Sequence, residues 1–245
     1  MGHHPGSPGG YPGHVPGPTR KQFLAARPVG GSYTFGGRQG RMSPTRQRAF
    51  DELLPRFELQ SDEVPAIAAE ATSGRRPVIV EIGCGKGDAT AAMAEGDGRS
   101  LVIASEANGA MLANLAVLLD EGGITNVRLW LGDAFDVLGL LGPGAVSEIR
   151  VWFPDPWPKP RHAGKRLITA QRLGLLVDAL RVDGVLRLAS DDAAYTAEAL
   201  EAIAAEPRLV GGGVPRPAAR PVTRFEARGL REGRQATDLV ARRCS

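Results

Sequence analysis

Short β-branched runs alternate with helical stretches along most of this chain, and that alternation leaves few folds open. The runs at 78–82, 101–105, 127–131, 148–153 and 184–189 read as strands, as does 237–242 near the end. Helical patterns fall between or before them, at 110–119, 167–180 and 193–205. Strand and helix in alternation predict an α/β fold with a parallel sheet covered by helices on both faces. Upstream, Ser43 and Pro44 make a good helix start, Ser as cap and Pro in the first turn, leading into an amphipathic stretch through Leu54. A second helical segment is expected at 64–71.

The chain of 245 residues has room for one such domain and a tail. Its first fifty residues hold seven bases (Arg20, Lys21, Arg27, Arg38, Arg41, Arg46 and Arg48) and no acid. The remainder has 23 Lys and Arg against 27 acids, so the basic character comes from the N-terminal segment. Residues 1–37 are rich in Gly and Pro, lack an aliphatic pattern, and are expected to be disordered, with the domain at 38–245. His3, His4 and His14 have no metal-ligand partners in this pattern, and no metal site is expected. No apolar run is long enough for a membrane span. Cys84 and Cys244 lie far apart without CxxC spacing, which suits a reducing cytoplasm. Oligomeric state is not set by anything in the sequence.

VEIGCGKGDA at 80–89 leaves the first strand and opens a helix. Gly83, Gly85 and Gly87 let the backbone turn sharply and approach a ligand, although such turns also arise for tight packing alone. A dinucleotide fingerprint would place its third glycine at 88, which is Asp. The E-x-G-x-G-x-G spacing resembles instead the first motif of S-adenosylmethionine-dependent methyltransferases. Glu106 ends the second strand, where a carboxylate can accept from both hydroxyls of a ribose. Asp133 follows the third, where an adenine would lie. Each acid alone could be a strand-end or helix-capping residue; with the glycine loop they make three positions in register at successive strand ends, which points to one nucleoside site.

The run WFPDPWPKPRHAGKR at 152–166 has no packing rationale. Prolines at 154, 156, 158 and 160 bar helix and regular sheet, so Asp155 and Trp157 sit on a stiff, extended loop. Lys159, Arg161, Lys165 and Arg166 follow within eight residues and suggest a polyanion beside that carboxylate. The plain alternative is a solvated charged loop.

With strand four ending in FPDPWPKPRH, and with TRFEARG at 223–229, the chain closely resembles the bacterial tRNA (guanine-N7)-methyltransferases from about Gly37 to its end. The resemblance implies a doubly wound, mostly parallel seven-stranded sheet of the Rossmann-like class I methyltransferase type. It also implies S-adenosylmethionine as cofactor and guanine 46 in the variable loop of tRNA as target. By the same resemblance, Glu81, Glu106, Asp133 and Asp155 are cofactor-site acids, Asp155 being also the catalytic residue. Lys159, Asp191, Thr223, Arg224, Phe225 and Glu226 match substrate-contacting positions, and Arg161, His162, Lys165 and Arg166 fall where the family contacts RNA. The segment Gly37-Arg38-Gln39-Gly40-Arg41 looks like the family's basic lead-in. The chain departs from the pattern at Ser190-Asp191-Asp192-Ala193, where the family has threonine-aspartate-tryptophan-glutamate.

Guanine N7 carries a free lone pair at neutral pH, so methyl transfer to it needs no proton abstraction, and Asp155 is expected to orient the base and stabilise positive charge. Trp157 either stacks on an unstacked guanine or pins its loop to the core. The arginines at 216, 220, 224, 228, 231 and 234 either extend the RNA surface or merely solubilise it, with Arg224 and Glu226 singled out from that background. Rival readings are an exocyclic amino-methyltransferase, a non-catalytic RNA-binding module, and a nicotinamide oxidoreductase. The basic run, the intact acids and the glycine spacing weigh against these in turn.

Overall fold

The computed structural model describes residues 42–245. The expected tail over 1–37 and the basic lead-in that ends at Arg41 lie outside the described residues. The chain enters through α1, which runs Pro44–Arg48, widens over Ala49–Leu53 and closes at Leu54–Phe57. Ser43 caps it, its hydroxyl accepting from the Arg46 N–H, with Pro44 in the first turn where a missing N–H is harmless. Helix α2 (Val64–Thr72) follows.

The alternating core comes next: β1 (Val78–Ile82), α3 (Asp88–Glu95), β2 (Leu101–Glu106), α4 (Gly109–Glu121), β3 (Val127–Leu131), α5 (Ala134–Leu141) and β4 (Val146–Trp152). Beyond the proline-rich loop lie α6 (Ala170–Ala179), β5 (Leu180–Ser190), α7 (Ala193–Ala205), β6 (Leu209–Val214), α8 (Arg224–Arg231) and β7 (Thr237–Arg243). The seven strands form one sheet in the order β3-β2-β1-β4-β5-β7-β6. Strands β1 to β5 are parallel, while β7 runs antiparallel to both β5 and β6.

Helices cover both faces. On one, Leu54 and Phe57 of α1, Ala91 of α3, and Leu112, Leu115 and Leu119 of α4 pack on Ile79, Val102, Val127 and Leu129. Full burial of each such Leu, Ile, Val or Phe side chain contributes about 1.5 to 3 kcal/mol. Helices α2, α5, α6 and α7 pack in succession as the second layer.

Several boundaries differ from the sequence reading, most of all around the sixth helix and β5, which begins four residues earlier than expected. The helix expected at 167–180 starts at Ala170, because Thr169 caps it by accepting from the Arg172 N–H. It stops at Ala179, and Leu180 is already strand. Strand β6, LVGGGV, was not read at all, because three glycines weaken any strand signal. The fold requires one of them: a Cβ on Gly211 would lie 2.1 Å from the Val240 carbonyl oxygen of the neighbouring β7.

Candidate active site

The sheet reverses its winding between β1 and β4, and a crevice opens there at the carboxyl ends of the strands. Two adjoining cavities fill it, sharing Gly83, Gly85, Met111, Trp152 and Phe225 as common wall. One reaches down to Glu81; the other extends past Glu106 to Asp155, Trp157 and Lys165.

The glycine loop floors both. Its turn closes when the Gly83 and Cys84 N–H groups donate to the Ser105 carbonyl at 2.9 and 3.1 Å, and Asn114 Nδ2 pins the far side through the Lys86 carbonyl at 2.8 Å. All three glycines have positive φ, from +58° to +82°. Their surroundings differ. Cβ atoms at Gly83 and Gly85 would meet nothing within 4 Å, whereas one at Gly87 would lie 2.5 Å from Leu115 Cδ1. The first two keep the cleft open, and the third lets α3 pack against α4.

Glu106, at the end of β2, accepts from the Gly85 N–H at 3.1 Å and from the Asn108 N–H at 2.9 Å, which fixes its carboxylate against the loop. Burial lifts its carboxyl above the ordinary value; backbone hydrogen bonds oppose the shift and the Asp155 charge adds to it. Glu81 lies deeper, 2% exposed, and its Oε2 has no hydrogen-bond partner among the described residues. Burial pushes its carboxyl up to about 7 against the pull of the nearby Arg150 guanidinium. Asp133 is placed differently. It is buried, caps α5 by accepting from the Phe135 N–H at 3.0 Å, and leaves Ala134 to line the cleft.

Asp155 is exposed to the cleft on the loop after β4. Two non-glycine residues with positive φ bracket it, Phe153 at 53° and Trp157 at 44°, each a strain of roughly 1 to 3 kcal/mol. Surrounding contacts offset that strain. The Phe153 N–H donates to the Ala189 carbonyl at 2.8 Å, and Arg166 donates to the Pro156 and Trp157 carbonyls at 3.0 and 3.2 Å. Arg166 also pairs with Glu198. Its guanidinium is therefore turned inward as a clasp for the loop. Lys165 and Trp157 do face the cleft, with the Lys165 Nζ 4.7 Å from the centre of the indole and the His162 ring edge-on to it at 5.4 Å. Lys159 and Arg161 are exposed.

The C-terminal motif splits in the same way. Thr223 caps α8 by accepting from the Glu226 N–H at 3.0 Å; Thr223, Arg224 and Phe225 line the cavity above the glycine loop. Arg224 reaches Asp88 at 3.0 Å. Glu226 lines neither cavity: it is 4% exposed and bound by Arg216 and Arg220. Asp191 also lies off the cleft, accepting from Arg234 Nε at 2.8 Å. Asp192, one of the two departures beside it, caps α7 by accepting from the Tyr195 N–H at 2.8 Å. The sequence reading missed Met111, Trp152 and Arg220. Trp152 passed as a strand end, and Arg220 as one arginine among six.

These residues fit S-adenosylmethionine. An orphaned carboxylate oxygen suits its ammonium, a second fixed carboxylate suits ribose hydroxyls, and Gly83 and Gly85 leave room where side chains would intrude. Among the described residues no group of acids, histidines and cysteines could hold a metal, and no helix is long and apolar enough to cross a membrane.

Comparison with known proteins agrees. Residues 75–239 match the family model described as "Putative methyltransferase". A tRNA (guanine-N(7)-)-methyltransferase of Nitrosospira multiformis is 36% identical over 84% of this chain and 92% of its own length. One from Aromatoleum aromaticum is 39% identical over 84% of this chain and 81% of its own. Among solved structures, a 30S ribosomal A1408 methyltransferase from an uncultured bacterium superposes with a TM-score of 0.54 at 15% identity, covering 76% of this chain and 95% of that one. That likeness speaks for the fold alone.

Proposed function

Because this chain belongs to the tRNA (guanine-N(7)-)-methyltransferase family, we propose that it methylates tRNA on N7 of a guanine, guanine 46 of the variable loop. The observation that carries the reading is the shared wall. One crevice holds the glycine loop with Glu81 and Glu106 on one side and Asp155, Trp157 and Lys165 on the other. S-adenosylmethionine, when bound, supplies the electrophilic methyl group.

The chain's own residues do the rest. Glu81 and Glu106 would hold the cofactor's ammonium and ribose ends, and Phe225 and Met111 would offer it apolar contact. Asp155 accepts from a donor on the guanine and stabilises the positive charge that the purine acquires. It removes no proton, since N7 already has its lone pair. Trp157 offers an aromatic face for the unstacked base, and Lys165 beside it neutralises a neighbouring phosphate. Lys159 and Arg161, both exposed, extend that phosphate-binding surface. Residues 38–245 form the catalytic unit, which works in a reducing cytoplasm.

The test is incubation with methyl-labelled S-adenosylmethionine and unmodified tRNA, followed by nucleoside analysis. The label is expected in 7-methylguanosine and is expected to vanish when position 46 is changed to adenosine. Label on an exocyclic amine or on a ribose would overturn the reading.

A further inference from the structure

We infer that Arg220 is a positioning residue for methyl transfer, setting the placement of the wall shared by the two cavities. The inference rests on the function proposed above. Arg220 is 1% exposed, the most deeply buried cation of the chain among the described residues. It touches neither cavity. Its guanidinium forks twice, donating to Glu226 at 2.7 and 3.0 Å and to Asp238 at 2.7 and 2.9 Å. Arg216 completes a neutral node by donating to Glu226 at 2.9 Å and to the Arg220 carbonyl at 2.6 Å.

Each partner leads to the cleft. Glu226 lies beside Phe225 in the first turn of α8, and Phe225 is common to both cavities. Asp238 pairs in register with Ala189 of β5, the residue whose carbonyl receives the Phe153 N–H. The guanidinium carbon lies 5.7 Å from the Trp152 ring centre and 5.6 Å from that of Phe153. Trp152 is the other aromatic common to both cavities, and Phe153 starts the strained turn that presents Asp155. One planar cation thus fixes both aromatic walls and the base of the Asp155 loop. A lysine in its place would keep the charge and lose both forks.

The experiment uses the full chain carrying Arg220→Lys, and separately Asp238→Asn, whose side chain reaches the cleft only through Arg220. Single-turnover rate constants are measured at saturating S-adenosylmethionine and tRNA, with cofactor Kd by calorimetry. The indole N–H resonance of Trp152, assigned with Trp152→Phe, is recorded without ligand. Ile203→Ala, in the core of α7, serves as a stability control. Positioning predicts a rate at least about tenfold lower in both variants, the scale of a small misplacement of reacting groups. It also predicts cofactor Kd within about threefold and a shifted Trp152 resonance, while Ile203→Ala loses Tm and retains the rate. The inference is overturned if folded Asp238→Asn or Arg220→Lys keeps the wild-type rate, or if Ile203→Ala slows equally. Should Arg220→Lys not fold, Asp238→Asn alone decides. Absence of 7-methylguanosine from the wild type would count against the proposed function instead.

Discussion

Glu106 and Asp155 line one cavity from either side of the switch point, the first closing β2 and the second following β4. Burial raises the Glu106 carboxyl, and the like charge of Asp155 pushes it the same way. Glu106 also anchors the glycine loop through the Gly85 N–H. Glu106→Ala is therefore expected to weaken S-adenosylmethionine binding by about 1.5 to 3 kcal/mol, the range for hydrogen bonds to a charged group. Affinity for tRNA should scarcely change. Calorimetry on both ligands checks this, and unchanged cofactor affinity would remove Glu106 from the site.

Glu81 should make cofactor binding depend on pH. Its carboxyl titrates at about 7 in the fold, against ~4.3 for a free glutamate, so between those values the folded protein holds a proton that the unfolded chain has lost. The raised value means that the ionised form costs stability, not at all below pH ~4.3 and fully above about 7. An ammonium group in the cleft favours the ionised form. Binding should thus strengthen as pH rises towards about 7, level off above it, and release protons near pH 6, seen in calorimetry with buffers of different ionisation enthalpy. Glu81→Gln should abolish the release and raise the Tm of the free protein at pH 8. Proton uptake on binding would contradict this assignment.

Arg166 and its neighbours should separate in salt titrations. Lys159→Ala with Arg161→Ala should flatten the log-log salt dependence of tRNA binding by about 0.7 for each phosphate that is no longer neutralised. Arg166→Ala should instead lower Tm and leave the slope in place, because its guanidinium holds the Pro156 and Trp157 carbonyls and Glu198. A slope reduced by Arg166→Ala at unchanged Tm would restore it to the RNA surface.

The parts of the candidate cleft legible in the sequence are those set by short local motifs, namely the glycine loop, Glu106 and the proline-bounded Asp155 loop, all of which line it. Arg220 was not legible, and Glu226, read as a substrate contact, gave no sign of being its buried partner. Their burial is made possible by Asp238, 18 residues from Arg220, and no local periodicity records such a partner. The clasp made by Arg166, expected as an RNA contact, was hidden for a similar reason: a basic run does not show which carbonyls its members satisfy. Asp133 matched its expected position in sequence, but the backbone of α5 uses it as a cap. Strand β6 was hidden by three glycines, of which its approach to β7 demands Gly211.

Gly85→Ala and Gly87→Ala should fail differently. Both have positive φ and bear some strain, but the Cβ at 85 enters open cleft while that at 87 strikes Leu115 at 2.5 Å. Gly85→Ala should lose cofactor affinity with a modest fall in Tm, roughly 1 kcal/mol of strain. Gly87→Ala should lose more stability, of the order of 1 to 3 kcal/mol from overpacking between α3 and α4. Thermal melts with and without S-adenosylmethionine distinguish the two; equal losses of stability would refute the division of roles.

The central claim is that Asp155 acts by charge and orientation on a nucleophile that needs no deprotonation. The most direct measurement is the single-turnover rate of methyl transfer, at saturating cofactor and tRNA, for the wild type and Asp155→Asn across about pH 6.5 to 8.5. The account predicts a flat wild-type profile and an Asn variant that is slowed greatly at every pH while keeping most of its cofactor affinity. A wild-type rate that climbs with pH, with the climb abolished in Asp155→Asn, would show a general base and contradict the account.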